Sequence, residues 1–291
     1  RGLLAEPRAG RGLLAEPLGV PAQRATDAPP APRLVSAALT GAGFRHGFFT
    51  RQGGVGVPPW DTLSFAVSTG DDAGAVDENR ARAASALGVE PGALYYLSQV
   101  HGVAHRVLRR GEAFQDVVRA VGDITLSAEA GVACGIRTAD CVPILLAHPG
   151  SGAVAAIHSG WRGTTLDVAG AGVRALRELA GAGRVLAAVG PHIEPCCFEV
   201  GDDVAAELAR ASSAGDRVVS RQSGRRPHVD LRQVVHAQLA AAGVGAGDID
   251  DVAGCTVCDA TRFFSYRRDG ARSGRLLSAI VAGYQPAASA A

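Results

Sequence analysis

The sequence places reactive side chains where short apolar segments end. His158 follows the apolar run GAVAAI, and the segment GWRG at residues 160–163 comes next, ahead of a predicted helix. At such a junction of strand and helix, polar side chains can be presented and backbone N–H groups favour anions. A lone histidine is more often structural, so this junction alone does not decide between a structural residue and a functional site.

Two other segments have the same character. His101 ends the apolar stretch of SQVHG, and Cys141 lies in TADCVP between two apolar runs. If these two residues and His158 converge, two imidazoles and one thiolate match a three-ligand zinc site whose fourth position stays open. They also match a cysteine nucleophile, with a histidine as base and Asp140 or Gln99 orienting it. Both interpretations stay open, because a tightly held metal makes the thiolate a ligand.

Four further cysteines form two short pairs, the adjacent Cys196 and Cys197 and the CxxC of Cys255 and Cys258. A four-thiolate metal site needs both pairs, but adjacent cysteines do not easily supply two ligands of one tetrahedron. We therefore expect structural thiols at these positions. Six cysteines in 291 residues are too few for a disulfide scaffold.

Composition excludes several classes of partner. With 29 basic and 28 acidic residues the net charge is +1, so there is no overall electrostatic case for nucleic acid or a membrane surface. No apolar run reaches the roughly 20 residues of a transmembrane helix, and no signal peptide opens the chain. We expect a cytoplasmic protein with a small-molecule substrate, as a monomer or weak homodimer.

The chain divides into a leader at 1–32, disordered or artificial in origin, which repeats RGLLAEP, and a single catalytic domain at 33–291. Asp71 or Asp72 caps a predicted helix that runs to about Leu87 and ends at Gly88, and a second helix has Thr165 as its predicted N-cap. Strand candidates greatly outnumber crossover helices. This favours an α+β fold over a doubly wound one.

The chain carries five motifs in a fixed order: SQVHG, TADCVPILL, AAIHSGWRGT, AVGPHIEPCCFEVG and FFSYRRDGARSGR. Together they resemble the laccase-domain family, which is named for multicopper polyphenol oxidases and is also called the YfiH family. The resemblance extends from about Arg45 to Ile280. It implies an α+β domain of layered mixed β-sheets with flanking helices, related to cysteine-hydrolase-like folds.

The resemblance also implies a metal site and an activity. The family's metal ligands correspond to His101, Cys141 and His158, and a mixed site with an open position suits zinc better than copper. The implied activity is phosphorolysis of adenosine, inosine, guanosine and methylthioadenosine, with adenosine deamination as a side activity. Asp140 is the further catalytic candidate. The candidates for binding nucleoside and phosphate are Arg51, Gln99, Arg162 and Arg267.

Three alternatives stay open. The first is a Cys/His hydrolase that edits peptidoglycan precursors, the UDP-muramoyl peptides, and the second is a metal-binding module without turnover. The third is the polyphenol oxidase of the family name, which would need several further histidine ligands. Ser64 stands where the family usually has asparagine, and His192 stands where it often has cysteine. These two departures affect the details of the substrate that the resemblance implies.

Overall fold

The structure is a computed structural model, and it describes residues 31–283. The predicted leader at 1–32 lies outside this range except for its last two residues, as does the end of the predicted domain from residue 284. Within it, the β-strands are β1 (Arg33–Leu34), β2 (His46–Phe49), β3 (Leu94–Tyr95), β4 (His105–Val107), β5 (Ile124–Ser127), β6 (Ala133–Thr138), β7 (Val142–His148), β8 (Ala153–Ser159), β9 (Leu186–Val189), β10 (Val219–Ser220), β11 (His228–Val229), β12 (Ile249–Asp251) and β13 (Leu276–Val281). The α-helices are α1 (Ala37–Gly41), α2 (Ala73–Leu87), α3 (Phe114–Val117), α4 (Trp161–Thr165), α5 (Val168–Ala180), α6 (Asp202–Arg210), α7 (Leu231–Ala241) and α8 (Tyr266–Asp269).

Two mixed β-sheets form the centre of the fold. One has five strands in the order β1-β2-β13-β6-β3, and the other has six in the order β12-β9-β7-β8-β5-β4. In the first sheet only the β3–β6 pair is parallel. In the second, the two outer pairs are parallel and the central pairs are antiparallel. The predicted α+β class with layered mixed sheets is confirmed.

The two sheets pack face to face, with helices on both outer sides. Phe48 and Ile136 of the five-stranded sheet share an apolar core with Leu145 and Val154 of the six-stranded sheet. Helices α5 and α7 cover the other face of the six-stranded sheet, and α2 covers the other face of the five-stranded sheet. Every residue of β7 and β8 is buried, because a strand between two layers buries both faces, and this explains their unbroken apolar sequences.

The helix boundaries agree with the sequence prediction for α2 and differ from it for α4 and α5. Asp72 caps α2 by accepting a hydrogen bond from Ala75 N–H, and Gly88 ends the helix with φ 67°, as predicted. Thr165, however, is not an N-cap. It is the last residue of the short helix α4, and Asp167, with φ 59°, caps α5 instead through its carboxylate.

The chain before β4 contains less strand than the sequence suggests. The apolar stretch that ends at His101 forms only the two-residue strand β3 near its start, so His101 lies in a loop rather than at a strand end. Among residues 31–283, none of the helices combines the length and the apolar character needed to cross a membrane.

Candidate active site at an edge of the six-stranded sheet

Neighbouring strands bring two of the predicted ligands together. Strands β7 and β8 are antiparallel, with His158 opposite Pro143, and Cys141 directly precedes β7. The Cys141 thiol and the His158 imidazole therefore lie at the same edge of the sheet, where β7 begins and β8 ends. His101 reaches this edge from the loop between β3 and β4, with a left-handed backbone conformation, φ 63°. Such a backbone is uncommon for a residue other than glycine and is often found at functional sites.

The three side chains form one compact group, called here the His–Cys–His site. His101 Nε2 lies 3.8 Å from Cys141 Sγ, and the potential ligand atoms of His101, Cys141 and His158 all lie within 4.8 Å of one another. Gly160 makes this packing feasible. A Cβ atom at Gly160 would come within 2.3 Å of the His101 ring and 3.1 Å of the Cys141 sulfur, so a side chain there would displace the site.

Asp123 fixes both histidines of the site. Its carboxylate accepts a hydrogen bond from His158 Nδ1 at 2.8 Å and from the backbone N–H of His101 at 2.9 Å. It also accepts from the N–H groups of Val100 and Gly102. A carboxylate on one ring nitrogen leaves the other free to bind a metal, which is the usual support of a histidine ligand.

Sequence reasoning missed Asp123. The signal was an aspartate directly before a short, fully buried strand, in the segment GDITLS. A carboxylate in that place is buried, and a buried carboxylate needs several donors. That requirement alone does not identify the donors, three of which lie in the loop that carries His101.

The charges of the metal-free site are strongly coupled. Burial opposes ionisation of Cys141, but the imidazoles of His158 and His101 outweigh it and lower the pKa of the thiol to about 6. Burial also disfavours charge on His158, yet the Cys141 thiolate and the Asp123 carboxylate raise its pKa to about 9. Both shifts favour a Cys141 thiolate beside a His158 imidazolium. A metal ion would replace the proton of the imidazolium.

A cavity of about 670 Å³ opens onto the His–Cys–His site. This volume is typical of pockets for small molecules. Four arginines line it, and Asp140 is its one lining carboxylate among residues 31–283. The cavity is therefore electropositive and suits an anion. The arginines are Arg137, Arg162, Arg267 and Arg275.

Two of the four arginines were not predicted from the sequence. Arg137 and Arg275 come from β6 and from the segment before β13. Burial lowers the pKa of both guanidinium groups. Arg137 donates to the carbonyls of Phe65 and Leu97, while its Nε is buried without a partner among the described residues.

The predicted binding residues have different surroundings. Arg162 and Arg267 line the cavity, and the Arg162 guanidinium stacks on Trp161 at 4.6 Å. Gln99 also lines it, but its amide group pairs with the backbone N–H and C=O of Arg137. The structure does not bring Arg51 to the cavity.

The guanidinium of Arg51 is engaged elsewhere. It donates to the side chain and the carbonyl of Asp61 and to the carbonyl of Ala260, and it stacks on Phe264 at 4.3 Å. These contacts hold the turn that follows β2. The donors of Arg51 are therefore committed to the loop rather than to a ligand.

Asp140 has contacts of another kind. Its backbone is left-handed, with φ 92°, and its two carboxylate oxygens accept hydrogen bonds from Thr256 Oγ1 and from the backbone N–H of Arg267, both at 2.6 Å. The hydrogen bond that orients an imidazole of the site is made by Asp123. Asp140 instead joins the backbone beside Cys141 to the loop that contains Thr256 and to helix α8.

Comparison with known proteins identifies relatives along most of the chain. The family model described as multi-copper polyphenol oxidoreductase laccase matches residues 45–283. The chain is 39% identical to a purine nucleoside phosphorylase of Streptomyces coelicolor, over 78% of this chain and 91% of the relative. It is 37% identical to an adenosine deaminase, RL5, from an unknown prokaryotic organism, over 80% of this chain and 92% of the relative.

The fold is likewise similar to a solved one. The crystal structure of YlmD from Geobacillus stearothermophilus superimposes with a TM-score of 0.79 and 32% sequence identity. The match covers 87% of this chain and 99% of that protein. The chain therefore shares its overall fold with that protein along most of its length.

Proposed function

The chain belongs to the family described as multi-copper polyphenol oxidoreductase laccase, as its five motifs predict, and from this membership we propose that it is a zinc-dependent purine nucleoside phosphorylase with adenosine deaminase side activity. The proposed substrates are adenosine, inosine, guanosine and methylthioadenosine, with phosphate as co-substrate. The names of the relatives support the class of reaction.

We propose His101, Cys141 and His158 as the zinc ligands. Tetrahedral zinc with a Zn–N bond of about 2.0 Å and a Zn–S bond of about 2.3 Å separates the two donor atoms by about 3.5 Å. The 3.8 Å between His101 Nε2 and Cys141 Sγ is close to this value. Two imidazoles, one thiolate and an open side toward the cavity are typical of catalytic zinc. A metal held by these three residues would supply Lewis-acid chemistry beside the cavity.

The electropositive cavity is the observation that carries the phosphorylase proposal. Four arginines face a space that also contains the His–Cys–His site. Guanidinium groups bind phosphate through paired donors. A phosphate held by Arg162 and Arg267 would lie beside the sugar of a nucleoside whose base faces the His–Cys–His site. Such positioning replaces a bimolecular encounter by a reaction between bound groups.

The proposed reaction is a single displacement. A phosphate oxygen forms a bond to the anomeric carbon while the bond from that carbon to the purine nitrogen breaks. The electron pair of the broken bond leaves with the purine, which takes up a proton, and the products are free base and ribose 1-phosphate. Arg162 and Arg267 orient the phosphate. Asp140 is a positioning residue, since its carboxylate anchors the Arg267 backbone.

One further observation favours a second candidate. Cys141 Sγ lies 3.8 Å from His101 Nε2, and the imidazoles of His158 and His101 lower the pKa of the thiol to about 6, which suits a cysteine nucleophile. A hydrolase that edits UDP-muramoyl peptides, with the cysteine-hydrolase relationship that the family resemblance implies, would use this form. Its activity should rise when metal is removed, whereas the phosphorylase activity should disappear.

The proposal is tested by mass spectrometry of the products formed from adenosine by zinc-loaded protein, with and without phosphate. We expect adenine and ribose 1-phosphate only with phosphate, and inosine as a minor product in both. The variants Cys141→Ala and His158→Ala should form none of these. His105→Ala is the matched control, because His105 is an exposed histidine in β4 that does not line the cavity. Intact adenosine after incubation with metal-loaded protein would contradict the proposal.

A further inference from the structure

A second group of cysteines lies outside the His–Cys–His site. The potential ligand atoms of Cys196, Cys197, Cys255 and Cys258 all lie within 4.8 Å of one another, and they are called here the four-cysteine cluster. Adjacent cysteines do not easily supply two ligands of one tetrahedron, and from the sequence we expect structural thiols at these positions. In the structure the turn after Glu194 brings the sulfurs of Cys196 and Cys197 to the same side, toward the CxxC loop.

The distances between the sulfur atoms fit one metal ion. Cys196 Sγ lies 3.7 Å from the sulfurs of both Cys255 and Cys258, and Cys197 Sγ lies 3.4 Å from that of Cys258. Four thiolates around tetrahedral zinc, each at about 2.3 Å, are separated by about 3.8 Å. A disulfide would require about 2.05 Å. The four cysteines are free, and their spacing is that of shared ligands.

The backbone around the cluster is already organised. The two loops that carry it are joined by hydrogen bonds from His192 N–H to Gly254 C=O and from Thr256 N–H to His192 C=O. Positive side chains lie against the cluster, since Arg267 donates to Cys197 C=O and Arg268 donates to the carbonyls of Thr256 and Val257. Four thiolates with one divalent ion carry a net charge of −2, and these arginines offset part of it.

We propose that Cys196, Cys197, Cys255 and Cys258 form a second metal site, a closed structural site for zinc that is separate from the His–Cys–His site. Four thiolates fill a tetrahedron and leave no position for water or substrate, so the site binds metal without catalysing a reaction. The proposal does not depend on the proposed phosphorylase activity.

The position of the cluster explains what the metal would hold. Cys196 and Cys197 lie between β9 and α6, and Cys255 and Cys258 lie between β12 and α8. Between the last two, Thr256 donates to the carboxylate of Asp140, the neighbour of Cys141. A metal in the cluster would therefore tie the loop that supplies Ile193 and Phe198 to the cavity lining to the loop that leads into Tyr266 and Arg267.

The test is the zinc content of the purified full-length chain, measured by inductively coupled plasma mass spectrometry. We expect two zinc ions per chain in the wild type and one in the double variant Cys255→Ser/Cys258→Ser. Cys141→Ala should also retain one. Cys134→Ala is the control for loss of a thiol elsewhere, because Cys134 is buried in β6, and it should retain two. A zinc content unchanged by loss of the cluster thiols would overturn the proposal.

A second measurement does not require the cluster variants to fold. Cobalt is added to metal-free Cys141→Ala, in which the cluster is intact and the His–Cys–His site lacks its thiolate. We expect strong thiolate-to-cobalt absorption that saturates at one equivalent and disappears when zinc is added. Absence of this absorption would refute the site. Both readouts are independent of turnover, so failure of the phosphorylase proposal would not be mistaken for failure of this one.

Discussion

The two thiol-containing clusters differ in the number of ligands and in what carries them. The His–Cys–His site has three donors, lies at an edge of the six-stranded sheet and faces a cavity. The four-cysteine cluster has four donors and lies on two surface loops, with Cys196 and Cys258 exposed. A tetrahedral ion has one free position in the first and none in the second. The count of ligands therefore separates a site suited to catalysis from one suited to holding loops together.

Their surroundings differ in the same sense. In the His–Cys–His site a buried carboxylate, Asp123, orients the ligands, and His101 has an unusual backbone conformation. Catalytic ligands need such support because their geometry must be fixed without a fourth protein ligand. In the four-cysteine cluster the ligands themselves close the site. Removal of metal should thus affect activity at one cluster and stability at the other.

Stepwise removal of metal gives the largest expected difference. We expect a chelator to remove metal first from the His–Cys–His site, which has one ligand fewer and opens to solvent. Activity should then fall by ~100-fold or more, since a Lewis acid supplies several kcal/mol of transition-state stabilisation. The urea concentration at half-unfolding should change only when the second equivalent leaves.

The measurement follows activity, zinc content and the unfolding midpoint on the same samples across a series of chelator concentrations. Readdition of one equivalent of zinc to the half-depleted protein serves as the control and should restore turnover. If activity and stability were lost together with the first equivalent, the division of roles between the two clusters would be wrong.

Sequence patterns predicted the parts of this comparison that depend on short segments. The buried strands β7 and β8 were visible as apolar runs, and the reactive residues at their ends were found because strand ends in neighbouring strands meet. The helix from Asp72 to Gly88 was likewise predicted from its caps. These features depend on local chemistry and on the periodicity of apolar residues.

Long-range contacts account for what sequence reasoning missed. Asp123 acts through a loop more than 20 residues away, and Arg275 reaches the cavity from near the end of the described chain. The burial of Asp123 has a signal in its own segment, but neither the donors to Asp123 nor the position of Arg275 in the cavity has one. The four-cysteine cluster was missed for a related reason, because a rule about adjacent cysteines was applied without the loop geometry that turns both toward the CxxC.

Replacing Asp123 tests metal binding at the His–Cys–His site separately from the four-cysteine cluster, and the expected effect is of intermediate size. Asp123→Asn keeps the shape of the side chain but loses a carboxylate that accepts from His158 and from three backbone N–H groups. We expect metal affinity at the His–Cys–His site to fall by about 10- to 100-fold, the usual effect of losing such a carboxylate. Metal in the four-cysteine cluster should be unaffected. Competition titrations with a zinc-binding dye measure both affinities.

The control for this variant is a carboxylate with a comparable structural role. Asp250→Asn removes an acceptor for the Ser36 hydroxyl and the Ala38 N–H, and Asp250 does not line the cavity. It should leave both metal affinities as in the wild type. An Asp123→Asn protein with wild-type affinity at the His–Cys–His site would show that Asp123 supports the fold but not the metal.

The smallest expected effect tests whether the two clusters communicate. Thr256 is buried, lies within the CxxC loop, and its hydroxyl donates to Asp140 at 2.6 Å. Thr256→Val removes that bond with little change of shape, and Thr256→Ser retains it. Since Asp140 anchors the Arg267 backbone and adjoins Cys141, we expect kcat to fall by about 3- to 10-fold in the valine variant, equivalent to about 1 kcal/mol.

Both zinc ions should stay bound in the valine variant, so the loss would reflect positioning rather than metal content. The serine variant should recover most of the rate. A valine variant with wild-type kcat would mean that the four-cysteine cluster holds its loops without any influence on the chemistry at the sheet edge.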